Sequence, residues 1–215
     1  MSTPDLYFSP QPTRSARARW AFVEAGLSYE PHQVDVFAGE QKSEAYLAVN
    51  PLGVVPTAVF DGQPVVESSA LALIASTGTP LLPEVGTAAW RSALQWAVFA
   101  PAELDHLLAT LNAHRLFRPP AQRDPQLVAE TVDKWNTRAD RIARSLGDGP
   151  YLLGEAFSVA DICVGHSLVW AKMHGLLESN ATLGAYLARL SERPAFREVY
   201  PPSIDIMPDP HANAS

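Results

Sequence analysis

Glu67 and Ser68 stand side by side just ahead of an apolar run formed by Ala70, Leu71, Leu73 and Ile74. A run that starts this way reads as a helix with Ser68 or Ser69 at its N-cap. A helix N-terminus offers unpaired N–H groups and partial positive charge, so it attracts carboxylates. The serine hydroxyl adds a further donor, and the neighbouring glutamate could hold an ammonium group. A ligand with both groups, amino-acid-like in character, would satisfy all of these at once. A plain cap beside a solvated glutamate accounts for the same two residues, and both readings stand at this level.

The elements that would position this pair can be read from local chemistry. Asn50-Pro51-Leu52-Gly53 is a turn, and Pro56 pushes Val55 into an extended conformation. Thr57–Phe60 and Pro64–Val66 are short strands joined by Asp61-Gly62, a two-residue hairpin signal. Upstream, Leu6-Tyr7-Phe8 reads as a first strand, closed by the stiff loop Ser9-Pro10-Gln11-Pro12. A helix follows from Thr13 or Arg14 to Ala25, with Ala18, Ala21, Phe22 and Ala25 on one face and Gly26 as its stop. Ser28 to Val36 is a second strand with Tyr29, Val34 and Val36 as buried candidates, and a short helix spans Ser43 to Ala48. The resulting order, β-α-β-α-β-β-α to about Thr77, is a thioredoxin-like α/β arrangement.

Gly78 to Gly86 is a linker by its glycine and proline content, and the pattern beyond it is all helical. Thr87 to Arg115 carries Trp90, Leu94, Ala97, Leu104, Leu108 and Leu111 inward, with Pro101 predicting a kink near Phe99 and Ala100. A proline-rich connection over 116–124 leads to a helix from Pro125 to Leu146. The next, Ser158 to Gly175, is apolar almost all round and therefore buried. Short helices follow at Leu183 to Arg193 and Ala195 to Tyr200, and the tail from Pro201 is too rich in proline and polar residues to pack. The expected division is an α/β domain over 1–77, a linker over 78–86 and an all-α domain over 87–215. Ser158 and Asp161 form a capping box, a structural role for the carboxylate.

The chain has 215 residues and a net charge of −7, which argues against a general nucleic-acid or anionic-membrane surface. Its one cysteine, Cys163, cannot make an internal disulfide, which fits a reducing cytoplasm. No apolar segment is long enough for a membrane helix, no signal segment opens the chain, and no internal repeat is present. The histidines lack metal-ligand spacing, so no metal is expected. Cys163 reads as an inert core thiol.

The stretch Val54-Val55-Pro56-Thr57 with Glu67-Ser68, together with Tyr151-Leu152-Leu153-Gly154 and Ser158-x-x-Asp161, resembles the glutathione transferase family over nearly the whole chain. The resemblance implies a cis bond before Pro56, pairing of the Val55 backbone with the cysteinyl part of glutathione, and a grip of Glu67 and Ser68 on its γ-glutamyl end. Lys42, with Gln41 beside it, matches the family's contact to the glycyl carboxylate, although Gln41 stands where phi-like members carry histidine. A solvated helix-end lysine is the alternative.

The family stabilises the glutathione thiolate with a hydroxyl or thiol after the first strand. In the phi, theta and zeta pattern that position is Pro12, which has no side-chain donor, and the beta-class cysteine position is Arg14. Thr13 is then the first candidate donor, with Ser15 and Ser9 weaker ones; a plain cap is the other reading of Thr13. Tyr7 fits a core role better, and Arg14 a solvated one. The resemblance places a hydrophobic electrophile between the domains, near Trp96, Phe99, Glu103, His106 and Leu107, with Trp170 as floor. It implies a cytoplasmic homodimer that conjugates glutathione to such a substrate, an activity of the detoxification type. Glutathione-dependent isomerisation, dehalogenation or peroxide reduction, and a non-catalytic glutathione-binding or protein-interaction role favoured by Pro12, are the alternatives. Without a cysteine near residues 12–15, disulfide reductase chemistry has no protein thiolate to use.

Overall fold

The computed structural model describes residues 2–201. Of the C-terminal tail, all but Pro201 lies outside the described residues, so the expectation for it is left there. A four-stranded sheet in the order β2-β1-β3-β4 forms the first layer. β1 (Asp5–Phe8) buries Leu6 and Phe8 on alternate positions and lies parallel to β2 (Glu30–Gln33) and antiparallel to β3 (Thr57–Phe60). β3 turns through Asp61 and Gly62, both at positive φ, into β4 (Gln63–Val66), as the hairpin signal predicts.

β2 is shorter than the predicted Ser28–Val36. Its sequence, Glu-Pro-His-Gln, is polar and carries a proline, and it occupies the sheet edge where both are tolerated. Val34 is buried just beyond it, its N–H bonded to the Phe8 carbonyl at 2.8 Å.

α1 (Ser15–Glu24) starts one or two residues later than predicted and ends in a Schellman arrangement. Gly26 takes φ +65°, and Leu27 N–H reaches the Phe22 carbonyl at 2.9 Å. α2 (Glu44–Val49) is capped by the Ser43 hydroxyl, and α3 (Ser68–Ser76) follows β4. The α3 N-cap is Glu67, with φ 74° and ψ 110°, rather than either serine. Ser68 is instead the first helical residue, so its hydroxyl is not spent on the cap.

The long helix breaks up as Pro101 requires, although the chain does not leave the helical path. α4 (Ala88–Phe99) passes into a π-helical segment over Ala100–Asp105, then α5 (His106–Asn112) and a second π segment over Ala113–Phe117. The wider π turn absorbs the missing proline N–H. α6 (Pro125–Leu146) is capped by Asp124, and α7 (Val159–Met173) runs through the centre of the helical region. α8 (Ala181–Ser191) and α9 (Pro194–Val199) complete it.

Asp161 at the start of α7 accepts four bonds of 2.6–3.0 Å, from Leu152 N, Ser158 N, Ser158 Oγ and Tyr186 Oη. That arrangement is the structural role read from the capping box. One hydrophobic core runs from the sheet through α1 and α3 into α7, α8 and α9. Trp20 of α1 lies within it, ringed by Phe157, Phe196 and Tyr200.

Candidate active site

The segment before β3 is fastened from behind. Tyr46 of α2 donates to the Val54 carbonyl at 2.6 Å, and Asn50 Nδ2 donates to the same oxygen at 2.8 Å and to Thr57 Oγ1 at 3.0 Å. The Val55–Pro56 peptide is cis. No hydrogen bond among the described residues uses the Val55 backbone, so this short extended piece is free to pair with another peptide.

Ser68 sits beside this edge, buried at the first turn of α3. Its hydroxyl accepts from Arg17 Nη1 at 2.9 Å. Arg17, fully buried on α1, donates through Nη2 to both carboxylate oxygens of Asp105 and to Ser167 of α7. One guanidinium therefore ties α1, α3, α7 and the π segment together. Desolvation pulls the Arg17 pKa down, but Asp105 and its neighbours outweigh it and leave the value raised, so the charge is permanent. With Arg17 occupying a lone pair of Ser68 Oγ, the Ser68 proton is free to point at an acceptor. Sequence reasoning passed over Arg17, although a cation spaced with Trp20, Ala21 and Glu24 on a buried face was the available signal.

The strained φ of Glu67 is uncommon for a residue with a side chain, and such strain concentrates at ligand sites. Its exposed carboxylate has no partner among the described residues. Gln41 and Lys42 lie in a helical turn over Glu40–Lys42 that closes on the same edge. Lys42 Nζ donates to the Leu52 carbonyl at 3.3 Å, and Gln41 Nε2 donates to Val36 O at 3.2 Å while Gln41 Oε1 is buried without a partner. Gly53 makes the approach possible. It takes φ +58°, and a Cβ there would stand 2.8 Å from the Gln41 carbonyl and 2.9 Å from Lys42 Nζ.

The loop after β1 is a closed set of hydroxyls. Ser9 Oγ donates to Gln11 Oε1 at 2.5 Å, and Ser15 Oγ receives Ser9 N–H at 3.2 Å and the Thr13 hydroxyl at 3.1 Å. Thr13 Oγ1 in turn accepts the Ser15 N–H at 3.3 Å. Ser9 and Ser15 are buried and Thr13 is half-buried. Pro12 is buried, its carbonyl held by the Trp170 indole N–H at 2.5 Å. Tyr7 stacks on His32 with ring centroids 4.5 Å apart.

Residues 13–77 match the family model described as glutathione S-transferase, N-terminal domain. Glutathione S-transferase F10 of Arabidopsis thaliana is 30% identical over 207 residues, covering 89% of this chain and 94% of its own. The chain belongs to the glutathione S-transferase family. A solved ternary complex of BphK, a bacterial member, is 31% identical and superposes with a TM-score of 0.79 over 91% of this chain and 96% of that one. A glutathione transferase homologue from Sulfitobacter, solved with bound glutathione, is 25% identical with a TM-score of 0.76, covering 93% and 98%.

Of the side chains expected to line an electrophile site, Trp96 and Phe99 lie on α4, Glu103 on the first π segment, and His106 and Leu107 on α5. Trp96 and Phe99 are buried edge to face, with the Arg141 guanidinium of α6 over both rings. Glu103 pairs with Arg138 of α6 at 3.2 Å, and Leu107 is buried. Trp96, Phe99 and Glu103 thus meet α6, because a helix has more than one buried face in a bundle and periodicity does not say which helix it meets. His106 is exposed. Trp170 does border the loop, through its bond to Pro12. An inter-region aromatic contact was missed: Phe37, in the loop after β2, meets Phe117 at the end of the second π segment with centroids 6.4 Å apart. Cys163 is fully buried, and burial pushes its thiol up to about 11.

Proposed function

We propose that the protein binds glutathione, stabilises its thiolate and conjugates it through sulfur to an electrophile, the thiol proton being lost to solvent as the S–C bond forms. The observation that carries this is the free Val55 backbone edge next to the N-terminus of α3, with the Ser68 hydroxyl held from behind by Arg17. The γ-glutamyl carboxylate would take the α3 N–H groups and the Ser68 proton, and its ammonium the Glu67 carboxylate. The cysteinyl peptide would pair with Val55, and the glycyl carboxylate would meet Lys42, with Gln41 nearby. Residues 2–77 would serve as the glutathione-binding domain and, of 87–215, the described part up to Pro201 as the helical domain. The family resemblance and the glutathione-bound Sulfitobacter homologue support the same ligand.

The bound sulfur would lie at the β1–α1 loop. A free thiol has a pKa of about 8.5, and donors or positive potential lower it. Thr13 is the donor we assign. Among the three hydroxyls it is the one partly open to solvent, and its bond to Ser15 is the one a thiolate would replace. The α1 N-terminus and the exposed Arg14 add positive potential. The electrophile would enter beside Trp170, whose indole N–H is bonded to the Pro12 carbonyl of that loop.

A second reading rests on the loop itself: with Pro12 lacking a donor and the neighbouring hydroxyls bonded to one another, the protein would hold glutathione without activating it. Calorimetric titration with glutathione, with thiolate absorbance followed against pH, separates the two. Binding with a thiol pKa well below the free value supports transfer chemistry; binding with an unshifted pKa supports the holding role. Saturating glutathione that yields neither heat nor thermal protection removes both. We place the protein in a reducing compartment, consistent with its single unpaired cysteine, and as a homodimer.

A further inference from the structure

Residues 114–123, His-Arg-Leu-Phe-Arg-Pro-Pro-Ala-Gln-Arg, hold three arginines and no carboxylate, in a chain whose net charge is −7. Two of the guanidinium groups are fixed by main-chain carbonyls. Arg123 donates through Nε to the Arg118 carbonyl at 2.8 Å and through Nη2 to the Leu116 carbonyl at 3.1 Å, so it closes over the end of the second π segment. Arg115 donates through Nη1 to the His174 carbonyl at 3.0 Å, at the C-terminus of α7. Both are half-buried, and capping of terminal carbonyls accounts for them. It does not account for Arg118. Pro119 turns that residue out of the helical path, to φ −74° and ψ 143°, and its exposed guanidinium caps nothing. No ion pair among the described residues uses any of the three.

The segment lies on a continuous path of contacts between two parts of the glutathione site. The Pro12 carbonyl takes the Trp170 indole N–H, and His174, one turn further along α7, takes Arg115. Phe117, two residues on, meets Phe37 with ring centroids 6.4 Å apart, and Phe37 stands four residues before Gln41. The path runs from the loop assigned to the sulfur to the turn assigned to the glycyl carboxylate. Along it, an aromatic ring and three cations stand within four positions of one another or are tied by their hydrogen bonds. Guanidinium groups present planar forks of N–H donors that match a carboxylate or sulfonate.

We propose that Arg115, Arg118 and Arg123 form an anion subsite on the rim of the electrophile cleft, and that the preferred electrophile is an aromatic acid whose carboxylate or sulfonate they take. The identity of the occupant as an electrophile rests on the conjugation assigned above; the anion subsite itself does not.

The probes are 4-chloro-3,5-dinitrobenzoate and its methyl ester, which share the reacting carbon and differ by one charge. With either, the glutathione sulfur bonds to the ring carbon, chloride leaves and the thiol proton goes to solvent. After division by its uncatalysed rate, kcat/KM of the full chain should be about tenfold higher for the acid than for the ester, the scale of one charged hydrogen bond. Arg118→Glu, at an exposed position, should abolish that preference, Arg118→Lys should keep most of it, and high salt should shrink it. Calorimetry with 3,5-dinitrobenzoate, which lacks the chloride, reads the subsite without the chemistry; it should bind the wild-type chain about tenfold more tightly than Arg118→Glu. If that difference holds while neither chloride is conjugated, the conjugation falls and the subsite stands. Acid and ester conjugated alike, 3,5-dinitrobenzoate binding that is absent or survives Arg118→Glu, or a loss of glutathione affinity in Arg118→Glu that matches the loss of the acid, each overturns the proposal.

Discussion

Arg17 and Asp105 lie 88 residues apart in the chain, yet Arg17 Nη2 stands 2.9 and 2.8 Å from the two carboxylate oxygens of Asp105, with both side chains shut away from water. The pair joins the α/β layer to the helical region at the point where Ser68 is held. Removing one partner strands the other charge in the core, at a cost of about 3–5 kcal/mol. Arg17→Met and Asp105→Leu should each lower the urea midpoint sharply at pH 7. The double variant Arg17→Met with Asp105→Leu should recover a large part of the loss, since well-packed apolar groups often replace a buried pair without penalty. Equal, additive losses in the singles and the double would show that the two side chains are not coupled.

Thr13 and Pro12 give the second prediction, which concerns the thiol. If Thr13 donates to the glutathione sulfur, Thr13→Ala raises the pKa of the bound thiol toward the free value and lowers the conjugation rate by about 10²-fold, the scale of losing one such donor. Pro12→Ser restores a hydroxyl at the position where the family resemblance places it, and should lower that pKa. The Pro12 carbonyl tethered to Trp170 is a backbone group, so the serine keeps the bond that fixes the loop. Absorbance of the bound thiolate against pH reads both variants. A thiol pKa unchanged by either substitution would remove the loop from the chemistry.

His174 and His166 set the response to acid. Burial, with Arg115 adding to it, lowers His174 from 6.5 to about 4, and His166 is held well below its usual value by burial with Arg17 and Arg14. The unfolded chain binds these protons near pH 6.5 and the folded chain does not, so stability rises with pH where the two differ. This stabilisation is complete above pH 6.5 and is lost as pH falls below it, His174 ceasing to contribute further loss below about 4. His174 Nε2 lies 2.8 Å from Asn112 Oδ1, so His174→Gln can retain a donor there while removing the titration. Asp161, raised by burial, acts in the opposite sense but is common to both proteins. The urea midpoint of His174→Gln should fall less steeply than wild type between pH 6.5 and 4; parallel curves would refute the assignment.

The parts of the fold that were legible are those whose cause is local. The Asp61-Gly62 hairpin, the Gly26 helix stop and the capping box of Ser158 and Asp161 each depend on residues within a few positions of one another. Gln41, Lys42, Val55, Glu67 and Ser68 fall around one edge of the sheet-bearing region, but the strained Glu67 cap was invisible because propensity favours serine there. The Arg17–Asp105 pair and the Trp170–Pro12 bond join residues 88 and 158 positions apart, and no pattern within a helix announces a partner so distant. Trp96, Phe99 and Glu103 show the same boundary: their spacing marks a buried face, while only packing decides that it meets Arg138 and Arg141 of α6.

Val98 carries the last prediction, which concerns assembly. It is a β-branched apolar residue 61% exposed on α4, and Ile74 on the adjoining α3 is 41% exposed. α3 and α4 pack against each other, and each carries one exposed large apolar side chain. A homodimer formed through this surface would bury them, and two-fold symmetry would present each substitution twice. Val98→Asp then places two unpaired carboxylates in the contact, each costing more than the apolar burial it replaces. Light scattering should report a mass near twice that of the chain for wild type and a single chain for Val98→Asp at the same concentration, with the circular dichroism spectrum unchanged. A wild-type protein of single-chain mass would remove the dimer, and a dimer undisturbed by Val98→Asp would move the interface to another face, where Leu52, 64% exposed, is the next apolar residue to substitute.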